Sequence, residues 1–313
     1  MKQVLITDDC HPLLKDGLIR QGYSCNYQPE ISLELTTRII PDYEGLIINS
    51  KIIVDRAFLD KAERLRFIGR LGSGMEIVDR EYAALKGVAV LSSPEGNRNA
   101  VAEQALGMLL ALANNLIRAD REVRQNVWRR EANRGFELSG KVLGIIGFGH
   151  TGSQFARKLA GMEMKVLAYD KYKTDYAGEM TWVRETNIDE LMQHADIISL
   201  HLPLTEETKH VVNKTFIDRC KPGFILLNTS RGSCVKTSDL VTALESGRVG
   251  GACLDVFENE KPATFGDAER SMYARLHALD NVVLSPHIAG WTHESKRRLA
   301  EILLEKILTQ LNR

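Results

Sequence analysis

Neither sign of charge prevails in this chain. Lys plus Arg number 41 and Asp plus Glu number 41, so no net field draws it to nucleic acid or anionic lipid. Cysteine is sparse: Cys10, Cys25, Cys220, Cys234 and Cys253 are scattered, odd in number and without a C-x-x-C pair. That pattern argues against a disulfide framework and fits reduced thiols in the cytoplasm. The opening residues, Met-Lys-Gln-Val-Leu-Ile-Thr-Asp-Asp, lack the basic start and apolar run of a signal peptide. The longest apolar stretch, Val101–Ile117, carries Glu103, Gln104, Asn114 and Asn115, and so reads as a buried helix rather than a membrane span. Cys10-His11 and His287 with His293 lack ligand spacing on a common face, so no metal is expected. No repeat, low-complexity segment or Pro/Ser-rich linker interrupts the chain.

What is present is an ordinary globular composition, 44% hydrophobic and 26% charged, over 313 residues, a length that suggests two domains. Short strand-like runs (Val4–Thr7, Gly45–Ile48, Phe67–Ile68, Val88–Leu91, Val142–Ile146, Lys165–Tyr169, Ile197–Leu200, Phe224–Leu227, Val282–Leu284) alternate with helical segments. Candidate helices are Pro12–Gln21, Val54–Ala62, Ser153–Gly161, Ile188–Gln193 and Ser238–Ser246. Continuous apolar strands in such alternation predict α/β architecture with parallel sheets covered on both faces. A loop over Ser92–Asn97 leads into the long helix and suggests a boundary near Asn97–Ala100. The expected domains are 1–99 plus 286–313 for substrate and 100–285 for nucleotide, the second inserted within the first.

The nucleotide assignment rests on Lys141-Val-Leu-Gly-Ile-Ile146, a strand that runs into Gly147-Phe148-Gly149-His150-Thr151-Gly152. In such a turn Gly147 permits the bend, Gly149 admits a pyrophosphate to the backbone, and Gly152 lets the following helix pack closely. Alone the G-x-G-x-x-G pattern is weak. Here a second strand ends at Asp170, eighteen residues beyond Gly152, where a carboxylate would accept from both ribose hydroxyls and repel a 2′-phosphate. NAD is therefore expected over NADP, with Lys171 and Lys173 nearby to soften the choice.

Three further strand ends carry polar groups. Phe224-Ile-Leu-Leu-Asn-Thr-Ser-Arg-Gly232 delivers Arg231, the segment after Gly251 holds acids at Asp255, Glu258 and Glu260, and Val283-Leu-Ser-Pro-His287 delivers a histidine. Moving a hydride beside a hydroxyl needs a group that takes or returns the hydroxyl proton. Histidine suits both directions, a carboxylate can orient its ring, and an arginine can hold a substrate carboxylate. Taken singly, a histidine such as His287 is more often exposed or core-satisfied than catalytic, and Arg231 with Glu260 equally reads as an ordinary surface ion pair. Patterning leaves them candidates.

Val101-Ala-Glu103, the turn at 147–152, His201-Leu-Pro-Leu204, Asn228-Thr-Ser-Arg-Gly232, Leu254-Asp-Val-Phe257 with Glu260, and Pro286-His-Ile-Ala-Gly290 together resemble the D-2-hydroxyacid dehydrogenase family over nearly the whole chain. The resemblance implies two doubly wound domains with a cleft between them, Rossmann- or flavodoxin-like, and a homodimer formed through the nucleotide domain. It implies Arg231 as substrate anchor, His287 as acid/base and Glu260 as its partner. It also implies cofactor contacts from His150, Thr151, Asp170, Pro203, Thr229, Ser230, Asp255 and Gly290. One departure concerns the acid: the family places proline directly after it, whereas Lys261 intervenes before Pro262, so Glu258 is an alternative partner for His287.

Within the family the chain is most similar to the compact members that interconvert 3-phosphoglycerate and 3-phosphohydroxypyruvate in serine biosynthesis. On that likeness Arg70, Ser73, Gly74, Asn97 and Arg130 would bind substrate, with Arg70 and Arg130 toward the phosphate. Asn49 stands where those members have arginine, and Lys51 is the candidate replacement. The alternative substrate is glyoxylate, hydroxypyruvate or another small 2-keto acid. An alternative of another class is an NAD-sensing, corepressor-like binding protein. Because the chain stops at Arg313, soon after the family's last helix, serine feedback through a C-terminal domain is not expected. The remaining expectations are a cytoplasmic enzyme without nucleic-acid or membrane partners.

Overall fold

The computed structural model describes residues 2–311; the expected domain limits at Met1 and Asn312–Arg313 lie outside them. The chain divides into two compact units, 1–98 with 291–313 and 99–290. Segment 286–290, expected with the substrate domain, therefore folds with the second unit. The reason is local: the Asp255 carboxylate accepts from the Ile288 and Ala289 amides and binds that turn to its own sheet.

In the first unit, β1 (Lys2–Ile6), β2 (Tyr23–Tyr27), β3 (Gly45–Ile48), β4 (Phe67–Arg70) and β5 (Ala89–Ser92) form a parallel sheet ordered β2-β1-β3-β4-β5. This is the flavodoxin-like order. Successive strand residues point to opposite faces, and both faces are buried: Leu5, Leu46, Ile48 and Ile68 pack on one side, and Val4, Ile6, Ile47 and Phe67 on the other. Helix Pro12–Arg20 and the C-terminal helix His293–Leu311 cover the second side, where Leu303 and Ile307 join the core. The return of the C-terminal helix is thus built from apolar contacts.

The second unit holds β6 (Val142–Ile146), β7 (Lys165–Tyr169), β8 (Val183–Glu185), β9 (Ile197–Leu200), β10 (Phe224–Asn228), β11 (Val249–Leu254) and β12 (Val282–Leu284). All are parallel, in the order β12-β11-β10-β9-β6-β7-β8. That is a Rossmann sheet with one added strand, and its topological switch point lies between β6 and β9, where such sheets bind ligands.

Two expectations need correction. Ser92–Asn97 is not a loop throughout, because helix Pro94–Ala113 begins at Pro94, a residue suited to a first helical turn. The long helix also stops before Ile117. Asn115, at φ 51°, breaks it, and a separate helix, Leu116–Arg124, follows. No single helix among the described residues is long and apolar enough to cross a membrane, and Ala102, Ala105, Leu109 and Leu112 are buried in protein core.

Candidate active site

Strand β6 ends at Gly147, whose φ of 91° is open to glycine and strained for other residues; a Cβ there would stand 2.4 Å from the His201 carbonyl oxygen. Gly152 closes the turn, since a Cβ would lie 2.1 Å from the Gly147 oxygen, so the helix His150–Lys158 packs directly on it. Gly149, between them, faces open space. An open pocket of about 420 Å³ borders the turn, with Phe148, Gly149, His150, Ser153, Lys173 and Tyr176 in its lining.

Asp170, at the end of β7, holds this turn. One carboxylate oxygen accepts from the Phe148 amide (2.9 Å) and the other from the Tyr172 amide (3.1 Å). Lys173 Nζ donates to the Phe148 carbonyl at 2.9 Å and lies 3.9 Å from the same carboxylate. Both backbone groups of Phe148 are thereby fixed. This holding role comes in addition to the ribose contact expected of Asp170 from its place at the strand end.

The loops after β10, β11 and β12 converge. Gly232 makes the first contact possible: a Cβ there would stand 1.9 Å from the Phe257 carbonyl oxygen, so only a residue without one lets the loop after Arg231 lie against the loop after β11. Arg231 is half-buried and donates from Nη1 to the Ser230 carbonyl (2.7 Å). Glu260 Oε2 lies 2.8 Å from His287 Nδ1, while its Oε1 accepts from the Phe257 amide at 3.3 Å. Burial alone would raise the Glu260 carboxyl, but the His287 bond and charge, the Phe257 amide and the Arg231 charge outweigh it and hold the group below the usual range.

His287 sits at φ 56°, a left-handed conformation that histidine tolerates better than most residues. Its amide donates to the Asp255 carbonyl at 2.7 Å. Asp255, expected among the cofactor contacts, is fully buried, and its carboxylate is engaged by Ser285 Oγ and the amides of Ile288 and Ala289. It is the clamp of the histidine turn. Ser230, also expected to meet cofactor, is buried and hydrogen-bonded through both its amide and its hydroxyl to Asn228 Oδ1.

Glu258 does not reach His287. Its Oε1 is 2.6 Å from His210 Nε2, and its Oε2 accepts from the Thr237 amide at 2.6 Å. The extra Lys261 is absorbed by a turn in which its amide donates to Asn259 Oδ1 (3.0 Å), so the loop keeps Glu260 toward His287. Composition offered no sign of His210, because its partner is distant in sequence.

In the first unit, Arg70 ends β4 and folds over Gly72, where a Cβ would lie 2.2 Å from its Nη1. Ser73 is exposed, Gly74 is buried, and Asn97 lies in the first turns of helix Pro94–Ala113. Ser93 Oγ and Asn97 Oδ1 are buried without a hydrogen-bond partner among the described residues. Lys51, the candidate replacement for a phosphate-binding arginine, instead donates to the Pro29 carbonyl. Arg130, in the second unit, is exposed, as is Pro203. No three His, Cys, Asp or Glu among the described residues are grouped to hold a metal ion.

Residues 106–289 match the family model "D-isomer specific 2-hydroxyacid dehydrogenase, NAD binding domain". The chain belongs to this family. It is 33% identical over 306 residues to the D-3-phosphoglycerate dehydrogenase of Archaeoglobus fulgidus, covering 98% of this chain and 56% of that protein. It is 37% identical over 274 residues to the hydroxypyruvate reductase of Thermotoga maritima, covering 88% of this chain and 87% of that one. Among solved structures, D-lactate dehydrogenase from Aquifex aeolicus, complexed with NAD and lactic acid, superposes with a TM-score of 0.85 at 28% identity, covering 99% of this chain and 96% of that one. The chain spans about half the length of the D-3-phosphoglycerate dehydrogenases it matches.

The family's NAD-binding domain thus corresponds to the second unit, and its residues fit that cofactor. Gly149 leaves room beside the turn, and two polar atoms at the ends of neighbouring strands, Thr229 Oγ1 after β10 and His201 Nδ1 after β9, are buried without a partner among the described residues. Buried polar atoms are seldom left unsatisfied, so such orphans mark where a bound polar group would complete the network.

His201 is otherwise enclosed, with Nε2 2.9 Å from Ser199 Oγ and its ring against Phe155. Burial pushes its pKa down to about 3. The unfolded chain takes up this proton near pH ~6.5 and the native chain does not, so native stability falls as pH drops below that value, by about 1.4 kcal/mol per unit from this residue, until about pH 3. His201→Gln should reduce the loss of unfolding free energy between pH 7 and pH 5 by about 2 kcal/mol. Urea unfolding at the two pH values checks it; an unchanged loss would mean that His201 titrates freely in the native state.

Proposed function

We propose that this chain interconverts a D-2-hydroxy acid and its 2-keto acid with NAD, and that the physiological pair is 3-phosphoglycerate and 3-phosphohydroxypyruvate. The observation that carries the chemistry is the 2.8 Å contact of Glu260 with His287 Nδ1, on an exposed ring whose Nε2 takes no hydrogen bond among the described residues. In the oxidative direction Nε2 takes the substrate hydroxyl proton, and in reduction it returns it; Glu260 orients the ring. Arg231 holds the substrate carboxylate and carbonyl oxygen. Bound NAD supplies the hydride acceptor. Gly147, Gly149 and Gly152, with the amides of His150 and Thr151, receive the pyrophosphate at the helix N-terminus; Asp170, Pro203, Thr229 and Gly290 line the rest of the nucleotide site. Arg70 serves the phosphate, while Ser73, Gly74 and Asn97 serve the carboxylate.

In this reading the enzyme belongs to serine biosynthesis in the cytoplasm and acts as a homodimer through the second unit. Exposed Leu116, Ile117 and Val123 on helix Leu116–Arg124, with Trp128 and Phe136 beyond it, are the apolar surface a second copy would cover. The rival substrate is hydroxypyruvate or glyoxylate. It is favoured by one observation: Asn49 replaces an expected arginine, and Lys51 is turned to Pro29.

An NADH-oxidation panel of 3-phosphohydroxypyruvate, hydroxypyruvate, glyoxylate, pyruvate and 2-oxoglutarate decides. If phosphate is read by Arg70, Arg70→Ala lowers kcat/KM for the phosphorylated substrate ~10–100-fold, the worth of a charge-assisted contact, and spares the others. Equal losses on every substrate would remove the phosphate role.

A further inference from the structure

Glu258 stands at a junction of three loops. The segment after β9 reaches His210, whose amide donates to the Ser233 carbonyl at 2.8 Å; two residues on, the Val212 amide donates to the Cys234 carbonyl at 3.0 Å. The Lys236 amide returns a bond to the Val212 carbonyl at 2.8 Å, so the chain leaving Arg231 is laced to the chain leaving His210. The loop after β11 joins through one carboxylate: Glu258 takes His210 on one oxygen and the Thr237 amide on the other, each at 2.6 Å. The next residue is held as well, its amide donating to Tyr273 Oη at 3.2 Å. Only then does the loop turn to present Glu260.

We infer that His210 and Glu258 are positioning residues for the reaction, a second histidine–carboxylate pair that fixes the loop carrying Glu260 so that its carboxylate meets His287. This rests on the reading of His287 as the acid/base. The geometry separates the pair from an ordinary surface contact. Both side chains are partly buried, Glu258 accepts twice, and His210 is held in the left-handed region at φ 52°. Without the His210 bond, Glu258 keeps a single side-chain tether at Thr237, and the stretch through Asn259, the one residue between it and Glu260, gains freedom. Catalytic groups displaced by about 1 Å lose much of their rate, so the effect falls on kcat and not on nucleotide binding.

The test uses the full chain, NADH and the best keto acid of the panel. His210→Ala should lower kcat on the order of 10-fold or more while leaving KM for NADH within about twofold. The ¹⁵N resonance of His287 Nδ1, read through the carbon-bound ring protons, should move as it does in Glu260→Gln. His210→Gln, whose amide still donates to Glu258, should recover most of the rate. Where His210→Ala does not fold, Glu258→Gln carries the same comparison, because it keeps an acceptor for Thr237 and loses the charge facing His210. A His210→Ala enzyme with lower Tm but unchanged kcat and Nδ1 resonance would overturn the inference. The control is His287→Asn. If it retains kcat, the acid/base reading itself fails; if it is inactive beside an unimpaired His210→Ala, only the positioning role is lost.

Discussion

His287→Asn should lower kcat by ~10²–10⁴-fold, the range that positioned proton transfer contributes, while the Kd for NADH stays within about twofold. Asparagine is the informative replacement. It tolerates the left-handed backbone found at φ 56°, and its amide can still donate to Glu260 from about the place of Nδ1. What it removes is the nitrogen at Nε2. A loss of rate then reports the proton-carrying atom and not a collapsed turn, which Asp255 continues to hold through Ser285, Ile288 and Ala289. Stopped-flow turnover with NADH and fluorescence titration of the cofactor separate the two quantities. Wild-type kcat in this variant would remove His287 from the chemistry.

Gly232→Ala should be nearly as damaging by a different route. The new methyl would stand 1.9 Å from the Phe257 carbonyl oxygen and 2.6 Å from the Phe257 Cα, both backbone, so one loop must move. Overpacking of this kind costs about 1–3 kcal/mol, and the displaced loops carry Arg231 on one side and Glu258 and Glu260 on the other. Stability and rate should fall together, with kcat down ~10²-fold or more. Gly161→Ala is the matched control, since a Cβ there meets nothing within 4 Å. Thermal unfolding and kcat measured on both variants test the expectation; a Gly232→Ala enzyme as stable and active as Gly161→Ala would mean that the two loops need not touch.

Much of this was legible in sequence because it follows from apolar runs and glycine spacing. Strands buried on both faces, such as Gly45–Ile48 and the Phe224–Leu227 part of β10, announce themselves as unbroken hydrophobic stretches. Tyr23–Tyr27 and Val183–Glu185 were missed because both are edge strands with polar residues and little burial. The Gly147, Gly149 and Gly152 turn is visible because each glycine answers a different local constraint. Partnerships are another matter. Whether Glu258 or Glu260 meets His287 depends on how a turn with one extra residue, Lys261, closes, and no spacing rule encodes that. Asp255 and Ser230 stand at strand ends in the sequence; their burial and hydrogen bonds emerge only when the neighbouring loops are in place.

The hydrogen bonds that hold Glu260 and His287, to each other and to Phe257 and Asp255, lie within the second unit, whereas Arg70, Ser73, Gly74 and Asn97 are carried by the first. On the proposed reading, proton handling and the recognition of the substrate's phosphate end would therefore sit on separately cored bodies. Under that reading, drift in the turns following β4 and β5 would retune which keto acid is accepted without perturbing His287, a division of labour that would let one chemistry diversify across many substrates.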